Sequence, residues 1–142
     1  NEIDAEAMRR VVEALNALRM NDADRLGDWF GRFITLYRSA GQAAPGAQTR
    51  SRIEFEWDLQ QGATLQRHPF TRMAWRQAAK GAALYAAGQD YALPIRDAQR
   101  IAAADRFDGR SYAALSERGR DAVYELLQAG HYALALPGED AA

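Results

Sequence analysis

Pro69-Phe70-Thr71-Arg72-Met73-Ala74-Trp75-Arg76-Gln77-Ala78-Ala79-Lys80-Gly81-Ala82-Ala83-Leu84-Tyr85-Ala86-Ala87, running up to Gly88, is the stretch on which the fold turns. A proline suits the first turn of a helix and a glycine its end, and alanine is the strongest helix former. At 100° per residue Phe70, Met73, Ala74, Ala78, Gly81, Leu84 and Tyr85 share one face, and Trp75, Ala79, Ala82 and Ala86 share a second. The strip left over holds Arg72, Arg76 and Lys80 at i, i+4 and i+8, with no acid in the segment. The pattern predicts a helix over about 69–87 that carries a basic ridge. Like charges at this spacing cost roughly a few tenths of a kcal/mol per pair. An anionic partner, or acids from elsewhere in the fold, would relieve that repulsion.

Upstream, Asp4 is a suitable N-cap with Ile3 and Met8 placed as a hydrophobic staple, and Met8, Val11, Val12, Leu15 and Leu18 recur at helical spacing. Asn21 or Asp22 caps a second helix whose apolar stripe is Leu26, Trp29, Phe30, Phe33, Ile34 and Tyr37, with Gly41 as its stop. These two read as an antiparallel hairpin over 4–39 packed by an aromatic seam. Gly27 and Gly31 suit a close helix crossing. A loop follows at 40–49. Residues 50–67 are ambiguous. Ile53-Glu54-Phe55-Glu56-Trp57-Asp58-Leu59 alternates like a half-buried strand, whereas Ser51-x-x-Glu54 is a capping box and Gly62 fits a helix end. Helix is favoured. The strand reading would give a minor β-hairpin near 52–67, with 63–67 and the Tyr132, Leu134, Leu136 alternation as the available partners. Downstream, Pro94 opens a helix over 94–105. A last helix over 111–129, capped by Ser111 or Ser116, buries Leu115, Ala122, Val123, Leu126 and Leu127, and 137–142 is a tail. The whole predicts a single, predominantly all-α domain over 1–142, a compact bundle of five to six amphipathic helices.

With 48% hydrophobic and 26% charged residues, the 142-residue chain has the composition of a globular protein. No apolar run approaches the roughly 20 residues needed to span a bilayer, and the start of the sequence lacks a signal pattern, so a cytoplasmic protein without membrane contact is expected. The absence of cysteine excludes disulfides, thiolate metal ligands and a cysteine nucleophile. The net charge of −1 hides segregation: 1–30 and 111–142 are acidic, while 61–104 holds Arg67, Arg72, Arg76, Lys80, Arg96 and Arg100 against Asp90 and Asp97.

Catalytic signals are weak. His68 and His131 are the only histidines, and either becomes a general base only beside a carboxylate in a pocket. Glu54, Glu56 and Asp58 would line one face of a strand and could hold a hard cation there, but spread apart on a helix. No metal, no cofactor and no enzymatic activity are therefore expected.

Asp105-Arg106-Phe107-Asp108-Gly109-Arg110, followed by Leu115-Ser116-Glu117-Arg118-Gly119-Arg120, resembles the wing and the following helix start of MarR-type winged-helix regulators. The resemblance spans residues 105–120, and the family's recognition-helix pattern is not found upstream at the matching distance. It implies a transcriptional regulator in which Arg106 and Arg110 make wing-like contacts to the DNA backbone.

The leading expectation is a small non-enzymatic accessory protein that binds nucleic acid or sits in a nucleoprotein complex. Arg72, Arg76 and Lys80 would contact phosphates, Arg96 and Arg100 would support them, and Trp75 would flank the strip. The alternative is a protein–protein adaptor, inhibitor or assembly subunit using its acidic termini or exposed members of its fourteen aromatic residues. The winged-helix regulator is a third reading. Neither the choice of DNA or RNA nor the oligomeric state is written in the sequence.

Overall fold

The structure, a computed structural model, describes residues 5–17, 22–36 and 50–138. The loop at 40–49, the proposed caps Asp4 and Asn21, the stop at Gly41 and the end of the tail lie outside the described residues. In chain order the elements are α1 (Ala5–Ala17), α2 (Ala23–Thr35), α3 (Arg52–Gln60), β1 (Thr64–Arg67), β2 (Met73–Gln77), β3 (Ala82–Ala86), β4 (Gln89–Leu93), α4 (Ile95–Ala103), β5 (Arg106–Asp108), α5 (Gly109–Ala113), α6 (Glu117–Gln128) and β6 (Tyr132–Ala135). Among the described residues no helix is long and apolar enough to cross a membrane.

The predominantly all-α bundle is overturned. The described residues form two three-stranded antiparallel sheets, ordered β5-β1-β6 and β2-β3-β4, alongside six helices. The decisive correction is at 69–87, which is no helix. Met73 faces Ala86 and Gln77 faces Ala82 in a β-hairpin, and β3 pairs onward with β4. The physical reason is tertiary. Helix propensity separates alanine from most residues by only about 0.7 kcal/mol or less, and β3 is the central strand, with four of its five residues buried. Burial between two partners outweighs that local preference. The turns make the path possible. Gly81 has φ 82°, and the two-residue loop Ala87-Gly88 has φ 48° and 80°, the double positive φ of a type I′ hairpin.

The ambiguous segment resolves as helix, then strand. Ser51 Oγ accepts from the Glu54 backbone N–H while the Glu54 carboxylate accepts from the Ser51 N–H at 2.9 Å, a complete capping box. Glu54, Glu56 and Asp58 therefore form no carboxylate row. β1 follows and pairs on one side with β6, Leu65 against Leu134, and on the other with β5, Leu65 against Phe107. The two stretches named as partners for a strand at 53–59 pair instead with each other, Thr64–Arg67 against Tyr132–Ala135.

The expected helix over 111–129 is two helices. α5 ends at Ala113, and Ser116 then caps α6 by accepting from the Gly119 N–H at 3.2 Å. The result is a short helix, a tight turn and a longer helix backed by the β5-β1-β6 sheet. Phe55, Leu59, Leu65, Ile101, Phe107, Tyr112, Leu115, Val123, Leu126 and Tyr132 make the core beneath them. Burial pushes the Tyr132 hydroxyl up to about 12. Of the stretch that resembles a wing and the following helix start, 105–110 is β5 and the start of α5, and 116–120 is the capped start of α6.

α1 and α2 are helical as expected, but their apolar stripes do not close into a buried seam. Trp29, Phe30 and Phe33 are each about half exposed, and Trp29 stacks on Phe33 at 5.3 Å. α2 instead lays its small face on the β2-β3 hairpin. A Cβ on Gly31 would come within 2.5 Å of the Tyr85 ring, and one on Gly27 within 2.8 Å of Arg76 Nε. The glycines do permit a close crossing, but of a helix over a sheet.

Candidate functional site

Most of the arginines near the sheets are committed to the molecule's own carboxylates and carbonyls. Arg76, on β2, donates to Asp24 and Asp28 at 3.0 Å each and to the Tyr85 hydroxyl at 3.0 Å. These partners raise its pKa. Arg32 pairs with Asp90 at 2.7 Å, Arg50 with Asp58, and Arg52 with Glu56 and Asp121. Arg76 is thus a strut between α2 and the sheet. With the helix gone, the ridge of Arg72, Arg76 and Lys80 is not formed: Arg72 precedes β2 and Lys80 lies in the β2–β3 turn. Trp75 is on β2, 37% exposed, and Arg96 is exposed on α4; neither joins a cluster with the others.

Three of the candidate residues do come together. Arg100 from the last turn of α4, Arg106 from β5 and Arg110 from α5 line one cleft of about 530 Å³, with Ser111 beside them. Ala103, Ala104, Phe107 and Ala114 give it an apolar lining beside them. No acid is among the described residues that line it. Arg100 Nη1 donates to the Ala114 carbonyl at 3.3 Å, which fixes the guanidinium beside it. Two acids lie close to the cleft in sequence. Asp105 lies 3.5 Å from Arg67 Nε. Asp108 caps α5 by accepting from the Ser111 N–H at 2.7 Å, and the bonds from Ser111, with the charge of Arg110 adding to them, hold its carboxyl below the usual range.

Arg67, a residue the sequence reading left without a role, completes the electrostatics. Its Nη2 donates to the carbonyls of Ile101, Ala102 and Ala104 at 3.1, 2.8 and 2.6 Å. These are end-of-helix carbonyls that would otherwise present the negative pole of α4 to the cleft. Arg67 is partly buried, and nothing in its local sequence pattern announces this role. Asp97 was likewise missed: it is buried, accepts from the Ser116 N–H at 3.0 Å and from the Ser116 hydroxyl, and so locks α4 to the start of α6.

The helix-turn-helix carries a different charge pattern. Glu117, Asp121 and Glu125 follow one another at i, i+4 and i+8 along α6, and Arg52 of α3 sits on Asp121. Glu56 of α3 accepts from the Tyr112 hydroxyl of α5 at 2.9 Å; burial, then that bond, raises the pKa of the phenol. The outward side of the helix pair is therefore partly covered by α3 and rich in carboxylates. The histidines stand apart from both surfaces. His131 Nδ1 shares a 2.9 Å hydrogen bond with the Thr71 hydroxyl, and the His68 N–H donates to the His131 carbonyl at 2.9 Å. Burial, then His68, lowers the pKa of His131. His131 is paired with a hydroxyl, not with the carboxylate a general base would use.

No curated protein matches the chain. Among solved structures, the chain is similar to the Escherichia coli ribosomal oxygenase YcfD, with a TM-score of 0.70 and 21% identity over 94% of this chain and 37% of that one. The same Escherichia coli protein in complex with cobalt and succinic acid gives a TM-score of 0.69 and 22% identity, covering 94% and 36%. The chain thus spans little more than a third of the length of these proteins, and at this identity the likeness is one of fold. The ROXA-like winged helix family matches residues 17–133, well over half the sequence and including the helix-turn-helix and every strand but the end of β6, and the chain belongs to that family.

Proposed function

We propose that this chain is a docking module with no catalytic groups of its own, serving a ribosome-directed protein by holding nucleoprotein through phosphate contacts from Arg100, Arg106 and Arg110. The observation that carries the reading is the cleft that Arg100, Arg106 and Arg110 line together, with no acid among its described lining residues. Guanidinium groups suit phosphate because they are always charged and present a planar fork of donors. The solved relatives are named ribosomal oxygenases, which supports a nucleoprotein partner over free DNA. The charge pattern of α6 supports backbone contact over base reading, because a row of carboxylates is repelled from the phosphates that flank a groove.

Binding of the chain to ribosomal RNA, measured across a range of salt, tests this. Three phosphate contacts give a slope of log K against log salt of about −2 on single strands and about −3 on a duplex. Replacing both Arg106 and Arg110 by alanine is expected to weaken binding about tenfold or more and to flatten the slope. A slope near zero, or a double variant that binds as the parent does, overturns the reading.

A second reading has an observation of its own. Met8, Val11, Val12 and Leu15 of α1 and Leu26, Trp29, Phe30, Phe33 and Ile34 of α2 are each 36–53% exposed. So many large apolar side chains at the surface mark a protein interface. In this reading the module is a protein–protein adaptor. A variant carrying Trp29→Ser and Phe33→Ser would lose its protein partner while keeping RNA binding.

A further inference from the structure

Resting on the docking reading, we infer that the ligand of the Arg100–Arg106–Arg110 cleft is an unpaired nucleotide segment, with phosphates on the arginines and a base on the apolar lining. The shape separates this from a duplex. A double helix offers phosphates on a convex surface and keeps its bases stacked inside, so it would engage the arginines and leave the apolar lining unused. An unpaired strand presents both chemistries at once, and proteins that bind it combine a cationic track with apolar or planar surfaces for the bases. The cleft has this composition: three arginines together with Ala103, Ala104, Phe107 and Ala114. Its volume, about 530 Å³, lies within the range of about 300–1,000 Å³ over which pockets enclose compact organic ligands.

Two further features agree. Arg67 takes up the carbonyls of Ile101, Ala102 and Ala104, so the end of α4 that forms one wall does not repel an anion. The helix pair that would have to enter a duplex groove is crossed by α3 and lined with Glu117, Asp121 and Glu125. Phe107 is only 2% exposed, so the apolar part of the lining is mainly alanine, and the Ser111 hydroxyl is the polar group beside the arginines.

Fluorescence anisotropy of the full chain at one low salt concentration, with single-stranded oligouridine, a fully paired RNA hairpin and an oligoglutamate peptide as probes, tests the inference. The single strand is expected to bind about tenfold more tightly than the hairpin or the peptide. Ala103→Phe, at an exposed position in the apolar lining, is expected to bring the single strand down to the level of the hairpin and leave the hairpin unchanged. Arg106→Ala weakens both, and Lys80→Ala, outside the cleft, weakens neither; thermal melts confirm that each variant folds. A hairpin bound as tightly as the single strand overturns the unpaired-strand inference and leaves the docking reading standing. Tighter binding of the peptide, or no binding of either RNA, overturns both.

Discussion

At the residue scale, the joint between α2 and the β2-β3 hairpin is held by Tyr85. Its ring is 1% exposed and fills the space left by Gly31, while its hydroxyl donates to Asp28 and accepts from Arg76. A methyl group on Gly31 would fall 2.5–2.7 Å from three ring carbons, and a fully packed ring has nowhere to move. Gly31→Ala is therefore expected to cost about 1–3 kcal/mol, read as a lower midpoint in urea unfolding; an unchanged midpoint would show that α2 is not seated on this sheet. The same joint has a pH signature. The Tyr85 hydroxyl, and then Arg76, hold the Asp28 carboxyl below its ordinary 3.8, against the opposing effect of burial. A carboxyl depressed in the folded state adds stability above its unfolded pKa and loses it as pH falls through the folded one. The stability gap between the parent and Asp28→Asn should be constant above about pH 5 and shrink below about pH 4. A gap that persists into acid would mean the carboxylate is not the group being held.

At the element scale, what was legible depended on whether a signal was local. The capping box at Ser51 and Glu54 is complete within four residues, and α3 forms where it predicts. Ser116 caps α6, and Gly27 with Gly31 marks a close crossing, for the same reason. The 69–87 segment misleads because its alanines fit either backbone and its cations fall at helical spacing by coincidence of the strand and turn lengths. The signal that could have found the hairpin was the placement of turn residues. Lys80-Gly81 and Ala87-Gly88 lie between strands only five residues long, with Trp75, Tyr85 and Tyr91 as β-formers. The arginine cleft was half legible: Arg100, Arg106 and Arg110 were singled out for separate reasons, but their meeting depends on β5 lying between α4 and α5. Ala87 supplies a test at this scale. It holds φ 48°, a region that costs a residue with a Cβ about 1–2 kcal/mol. Ala87→Gly is expected to raise stability by about 0.5–1 kcal/mol after the extra entropy of glycine is counted; a loss would argue against the I′ turn, and so against the β3–β4 register.

At the scale of the whole molecule, two surfaces divide the functional possibilities. Several arginines near the sheets are engaged in internal ion pairs, and among the described residues Arg100, Arg106 and Arg110 line one cleft at α4, β5 and α5. The α1–α2 side is apolar and aromatic. The central claim, that docking runs through the cleft, is tested most directly by hydrogen–deuterium exchange of the full chain with and without ribosomal RNA. The account predicts slowed exchange concentrated in residues 100–114. Unchanged exchange there, with protection confined to residues 5–36, would contradict it.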